Sequence, residues 1–295
     1  MRILTALALL AGGALWFAAA TGEQATEKIT NRPRVPGILR LHLQEWREPV
    51  PGSAQFKVVE RTADWNVAET AIIICDMWDD HWCKSCAQRV GVMVPRMNLV
   101  VTAARSHGVM IIHAPSDTMD RYLDTPYRKR MQQAKAAKPP VPILQRCTLD
   151  KGKEPELPID VSKSDCDDPV PGTEGIKQSR QHPGLDIIGY DGISANGQEI
   201  FNFCEQEGIK NIVIMGVHAN YCILARSFGI RQMVRLGKNV VLVRDLTDAM
   251  YDPRQPPHVS QARGTELVIE HIEKYWCPSV LSADLTKVVP GSNGP

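Results

Sequence analysis

Cys222 is the residue best placed to do chemistry. It closes the segment Gly216-Val217-His218-Ala219-Asn220-Tyr221-Cys222, at the end of an apolar run from Lys210 to Val217. That run has the length of a buried strand. Downstream, Ile223, Leu224, Phe228, Ile230, Met233, Val234 and Leu236 recur at roughly helical spacing, and Asn239 to Val243 is a second apolar run. The pattern predicts strand, tight turn, crossover helix and parallel strand. It sets a thiol in the first helical turn at the strand's carboxyl edge, where open α/β sheets hold their ligands. Unpaired N–H groups and the positive end of the helix dipole favour thiolate over thiol there, which makes Cys222 a candidate nucleophile. A free cysteine also packs as a small hydrophobe, and position alone leaves both readings open.

The elements that must position this turn can be read on either side of it. Ala71 to Cys75 is an unbroken apolar run ending in Asp76, followed by the polar and aromatic loop Met77-Trp78-Asp79-Asp80-His81-Trp82-Cys83. Val90, Val94, Met97, Val101 and Ala104 mark one face of a helix from about Arg89 to His107, stopped by Gly108. Val109 to His113 reads as the next strand, a further helix begins near Asn196, and Leu267, Val268, Ile272 and Tyr275 face inward on a last helix from about Gly264 to Trp276. Apolar strands without alternation, separated by amphipathic helices, predict a doubly wound, Rossmann-like, three-layer α/β domain with a parallel sheet of about five or six strands.

Before this domain, Leu39 to Gln44 alternates, Pro49 to Gly52 turns, and Gln55 to Glu60 returns, so residues 21–67 read as an N-terminal extension carrying a β decoration. Residues 68–285 form the main domain, with 122–175 as an insertion rich in Lys, Pro and Asp. Arg128-Lys129-Arg130 and Lys135 to Lys138 read there as a solvated helix, and 144–175 is long enough to be a lid or wall. The polar end from Asp284 is expected to fray, with 286–295 a disordered tail.

Met1-Arg2, the apolar run Ile3 to Phe17 and Ala18-Ala19-Ala20 have the form of a signal peptide over residues 1–20. Export to the periplasm or medium is the expectation, with an uncleaved membrane anchor the alternative; the run is short of the ~20 residues a spanning helix needs. At 23% charged residues and net charge +1, the chain carries no signature of nucleic acid or membrane binding. A small molecule is the expected partner, and a homo-oligomer the expected assembly. Eight cysteines in an exported chain raise the question of disulfides. Cys147 and Cys166 lie in the insertion, where a bridge would pin a loop; Cys83-Lys84-Ser85-Cys86 is a CxxC that could serve redox chemistry but lacks the second half of a zinc ribbon. Cys75, Cys204 and Cys277 read as core.

The segment from Gly216 to Cys222 resembles the isochorismatase-like cysteine hydrolases, a superfamily that includes nicotinamidases and related amidases. The Gly-Val-x-x-x-x-Cys turn carries the likeness, which extends over about residues 68–285. It implies a cis peptide at Val217–His218 and an oxyanion hole from the backbone N–H groups of His218 and Cys222. It also implies that Asp76 is the catalytic carboxylate, taking the thiol proton as general base. The family's lysine falls on Lys177 or Arg180, depending on where a gap is placed; arginine there would keep its charge and supply electrostatics alone. The metal-binding Asp-x-His of nicotinamidases corresponds to Asp117 and Met119, and a thioether suits such a cation poorly, so no cofactor is expected, with His113 and His81 as conceivable substitutes. Trp78, Trp82 and Tyr221 are expected pocket walls. The implied activity is hydrolysis of a small-molecule amide C–N bond through a thioester on Cys222. A vinyl-ether hydrolase of isochorismatase type, or a catalytically weakened ligand-binding relative, stand as alternatives.

Overall fold

The computed structural model describes Ile29, residues 31–33 and residues 36–289; the expected signal peptide and the last six residues of the tail lie outside them. The chain opens with an antiparallel hairpin of β1 (Ile38–Arg47) and β2 (Lys57–Asn66), longer at both strands than their alternating cores suggest. The α/β unit follows as β3 (Thr70–Cys75), α1 (Lys84–Ser106), β4 (Met110–Ala114), α2 (Pro126–Gln132), β5 (Gly192–Ile193), α3 (Gly197–Glu207), β6 (Asn211–Val217), α4 (Ile230–Arg235), β7 (Asn239–Asp248), α5 (Gln261–Tyr275), β8 (Ser279–Val280) and β9 (Val288–Val289).

The strands lie in one sheet in the order β2-β1-β8-β7-β6-β3-β4-β5, with β9 beside β1. From β8 to β5 every pairing is parallel, giving a parallel core of six strands where about five or six are expected; the N-terminal hairpin extends the same sheet. Alternate residues of the central strands serve opposite faces. Ile72, Ile74, Val213 and Met215 pack against Val90, Val94, Met97 and Val101 of α1, whereas Ile73, Ile212, Ile214 and Leu242 pack against the side holding α3, α4 and α5. These are the two outer layers of a doubly wound domain, and their burial explains why β3 and β6 read as unbroken apolar runs.

Several local expectations are corrected. Residues 223–236 do not form one helix: a π-helical turn at Ala219–Ile223 is followed by a break at Ser227–Gly229 and then the short α4. The basic run around Arg128 is not simply solvated, because Arg128 is buried and pairs with Glu199 at the start of α3, which Asn196 caps; residues 135–138 are not helical. The chain beyond Asp284 is not frayed up to residue 289, since β9 pairs with β1 and Asp284 accepts hydrogen bonds from the His42 backbone N–H at 2.7 Å and pairs with its ring at 3.0 Å.

Between α2 and β5 the insertion has no helix, yet it is tied down. Cys83 and Cys166 form a disulfide, so the bridge expected between Cys147 and Cys166 is not made; Cys147 is a buried thiol whose Sγ donates to Gln232 Oε1 at 3.1 Å. Cys147 also donates its backbone N–H to Ala225 at 2.7 Å, and Arg146 forms a β-bridge with Arg226. A second anchor is Glu154, fully buried beneath α4 and α5. It pairs with Arg231 at 2.7 Å and accepts hydrogen bonds from His271 and Trp276, each at 2.8 Å. Burial raises the carboxyl's pKa, but these donors more than offset that and hold it down to about 2. His271, buried on the inner side of α5, serves this anchor. Because the pKa is depressed in the fold, Glu154's contribution to stability is present above its ordinary range near pH 4.5 and is lost as pH falls toward 2. Glu154→Gln leaves Arg231 buried without its counter-charge. It is expected to cost about 3–5 kcal/mol at neutral pH, measured by denaturant unfolding, with the difference from wild type shrinking at low pH.

Candidate active site

Three neighbouring parallel strands end at one edge and deliver the site. β3 ends at Cys75, β4 at Ala114 and β6 at Val217; their registers pair Cys75 with both Ala114 and Gly216. Gly216 has φ +115, and a Cβ on it would meet the Cys75 carbonyl oxygen at 2.1 Å, so a glycine is required where the two strands close together. The Val217–His218 peptide is cis, and the π turn then brings Cys222 back over the end of β3. Asp76 sits on that end in a left-handed backbone conformation, φ 49. Its side chain is held by the Ser116 backbone N–H, which donates to Oδ1 at 2.7 Å.

Asp76 is fully buried, and Cys222 is 7% exposed. The cation beside them is Arg226. Its Nε lies 3.6 Å from Asp76 Oδ2 and its Nη2 donates to Asp117 Oδ2 at 3.1 Å, while the Cys222 thiol interacts with both the carboxylate and the guanidinium. Neither Asp76 Oδ2 nor Arg226 Nε has a hydrogen bond of regular geometry among the described residues, so both are buried polar atoms bordering the thiol.

Neither of the two candidates for the cationic position is among the main charges acting on Asp76 and Cys222. Lys177 is exposed, and its backbone N–H donates to the neighbouring Gln178 side chain. Residues 179–182 run antiparallel to the loop after β3, so the Arg180 carbonyl accepts from the Asp79 backbone N–H and its own N–H donates to the Asp79 carboxylate, while the adjacent Gln181 turns to His113 at 2.9 Å. Arg226 is not among the residues that the sequence pattern singles out, although it stands four residues after Cys222. That spacing is one helical turn, and the Arg226 N–H donates to the Cys222 carbonyl at 3.1 Å.

The electrostatics reverse the expected thiolate. Burial pushes the Cys222 thiol well up, the Asp76 anion pushes it further, and Arg226 opposes them in part. A five-residue π turn does not offset the loss of water. Burial also raises the Asp76 carboxyl, against the pull of Arg226, Cys222 and Ser116. Burial thus favours the protonated form of the Cys222 thiol and raises the basicity of the Asp76 carboxylate beside it.

Trp78 donates its indole N–H to the Ser116 carbonyl at 2.9 Å, which fixes the ring. The His81 ring stacks parallel to it at 6.0 Å, lies 5.7 Å from Trp82 and stands edge-on to His218 at 5.3 Å. His218 is buried, its Nε2 has no partner among the described residues, and burial beside His81 and Arg89 holds it neutral. Tyr221 closes another side, donating its hydroxyl to Asp165 of the insertion at 2.8 Å. Asp117 bonds to Arg226, and His113 is sealed between Gln181 and Asp191, so neither belongs to a ligand cluster among the described residues.

Fold and site define an α/β protein with a carboxylate, a thiol and a guanidinium gathered at the carboxyl edge of its parallel strands. The isochorismatase domain profile matches residues 70–271. The chain belongs to the isochorismatase domain family. Among solved structures it is similar to a cysteine hydrolase from Pseudomonas syringae pv. phaseolicola, at 17% identity over 82% of this chain and 95% of that one with TM-score 0.44. It is also similar to an isochorismatase from Pseudomonas putida, at 13% identity over 74% and 90% of the chains with TM-score 0.42. A putative isochorismatase from Burkholderia xenovorans gives 10% identity over 74% and 86%, with TM-score 0.45. No curated protein matches the chain.

The raised Asp76 pKa carries a sign for stability. The unfolded chain ionises this carboxyl first, so the folded state loses stability as pH rises above the ordinary carboxylate range. Asp76→Asn is expected to melt higher than wild type at pH 7–8, with the two converging near pH 4. It should also lower the pH midpoint of Cys222 alkylation, because the Asp76 anion is one of the groups holding that thiol up; peptide mass spectrometry reads the shift.

Proposed function

We propose that the protein hydrolyses the C–N bond of a small-molecule amide through a thioester on Cys222. The observation that carries this reading is the buried convergence of Asp76, Cys222 and Arg226 at the end of β3. Asp76 takes the thiol proton as Sγ attacks the carbonyl carbon, so charge moves onto sulfur only when a substrate is there to accept it. The backbone N–H groups of His218 and Cys222 receive the developing oxyanion. Asp76 then gives its proton to the departing amine, and in the second half it activates water to release the acid. Arg226 cannot exchange protons at any working pH. Its part is electrostatic, balancing the negative charge shared by Asp76, Cys222 and the oxyanion. The aromatic wall of Trp78, Trp82 and Tyr221, with the His81 ring stacked on Trp78, suits a planar substrate.

A panel of small amides assayed with purified protein tests the reading. Cys222→Ala is expected to abolish turnover, and acid-quenched intact mass should show the acyl adduct on wild-type Cys222. Arg226→Gln should lower kcat by roughly 10²- to 10³-fold, the scale for removing one stabiliser of a developing oxyanion. The acid limb of kcat/KM should lie above the ordinary Asp range, since the base must be ionised. Activity that survives Cys222→Ala would point to chemistry without the nucleophile, such as vinyl-ether hydrolysis. Ligand binding with no turnover of any amide would point to a binding protein.

A further inference from the structure

Three cysteine sulfurs meet beneath the insertion, and the reaction above uses none of them. Cys83 and Cys166 are bridged, while Cys86, in the first turn of α1, is a free thiol. Its Sγ, the Cys83 Sγ and an Asp167 carboxylate oxygen all lie within 4.8 Å of one another. The three cysteines are buried in one small cluster with Met250, against which Trp82 and Tyr221 pack. Arg89 places Nη2 at 3.3 Å from Cys86 Sγ, a cation where a thiolate would form.

We propose that Cys83, Cys86 and Cys166 form a thiol–disulfide exchange centre, in which Cys86 attacks Cys83 and releases Cys166 at the wall of a neighbouring cavity. The step balances within the chain. Cys86 loses its thiol proton, the Cys86–Cys83 bond forms, the Cys83–Cys166 bond breaks, and the Cys166 thiolate takes up a proton; no outside oxidant or reductant is consumed. The CxxC spacing across one helical turn is what brings Cys86 beside Cys83.

Polar contacts keep the released sulfur within reach. Asp168 accepts from the backbone N–H groups of Lys84 and Ser85, each at 2.8 Å, and Arg89 pairs with Asp167 at 2.7 Å. Arg254 donates to the carbonyls of Cys166 and Asp168 at 2.9 and 3.1 Å. With its neighbours fixed this way, Cys166 stays beside Cys83 after the bond breaks, and the exchange runs in both directions. The cavity, of about 450 Å³, is bounded by Trp82, Asp165, Cys166 and Arg254 among others. Exchange therefore turns a sealed bridge into a thiol that a small reagent can meet. The same short segment carries Asp165, the partner of Tyr221 next to Cys222.

The rate should climb with pH. Burial pushes Cys86 up to about 12; Arg89 opposes this, and Asp248, Asp167 and Asp165 reinforce it. The experiment holds the full chain, without reductant, at pH 7, 8 and 9, pulses it with iodoacetamide, quenches with acid and maps disulfides by non-reducing peptide mass spectrometry. The expected product has Cys83 bridged to Cys86 and Cys166 alkylated, forming about tenfold faster per pH unit. Cys86→Ser should reduce Cys166 labelling at least about tenfold. Finding Cys83–Cys166 as the sole linkage of Cys83 at every pH would overturn the proposal, as would equal Cys166 labelling in Cys86→Ser. The wild-type linkage map decides by itself if the variant does not fold.

Discussion

A buried carboxylate held beside a buried thiol is the constraint on which the rest of the structure depends. Asp76 cannot be solvated where it lies, so its charge must be balanced by protein groups: the Ser116 N–H, the guanidinium of Arg226 and, when it moves, the Cys222 proton. The partners come from the ends of two strands that flank β3, Ser116 after β4 and Cys222 with Arg226 after β6, and these strands are kept together by the parallel registers of β3, β4 and β6. The sheet thus does for the site what solvent would do elsewhere. It supplies fixed dipoles and charges that do not have to reorganise when a proton moves.

The insertion is the second half of this arrangement. Beyond α2 it lacks regular elements, yet it is fastened at Arg146 and Cys147 to the segment bearing Arg226, at Glu154 to α4 and α5, and at Cys166 to the residue just before α1. These fastenings surround the site without entering its chemistry, and they account for how little of Cys222 reaches solvent. A cover made of coil needs such discrete anchors, because it has no ladder of backbone hydrogen bonds to hold its shape.

Much of this was legible in the sequence, for identifiable reasons. The parallel core announced itself because β3, β4 and β6 are buried on both faces and therefore lack alternation. Asp76 and Cys222 were findable because each ends such a run. The cation was not, since the pattern of the family directed attention upstream to Lys177 and Arg180, while the group that meets Asp76 lies one turn beyond the cysteine. The upward push on the Cys222 thiol was hidden as well: position at a helix start is written in the sequence, but depth of burial is a property of everything packed above it. The disulfide partner of Cys166 could not be chosen for the same reason, as Cys83 is separated from it by 83 residues and brought near by the insertion's path alone.

The N-terminal hairpin has a role of a different sort. By joining the sheet at β8, β1 covers what would otherwise be the outer side of the parallel core and passes the exposed border to β2. A bare border strand is a template on which another chain can add itself. Here the two hairpin strands are laced by charges, Arg40 with Asp64 at 3.0 Å and Arg61 with Glu45 at 2.9 Å, and β2 itself carries Lys57, Glu60, Arg61 and Asp64. The sheet that builds the reaction site therefore ends on a strand studded with ions, a boundary that discourages further growth and leaves the hydrophobic interior of the fold closed to its neighbours.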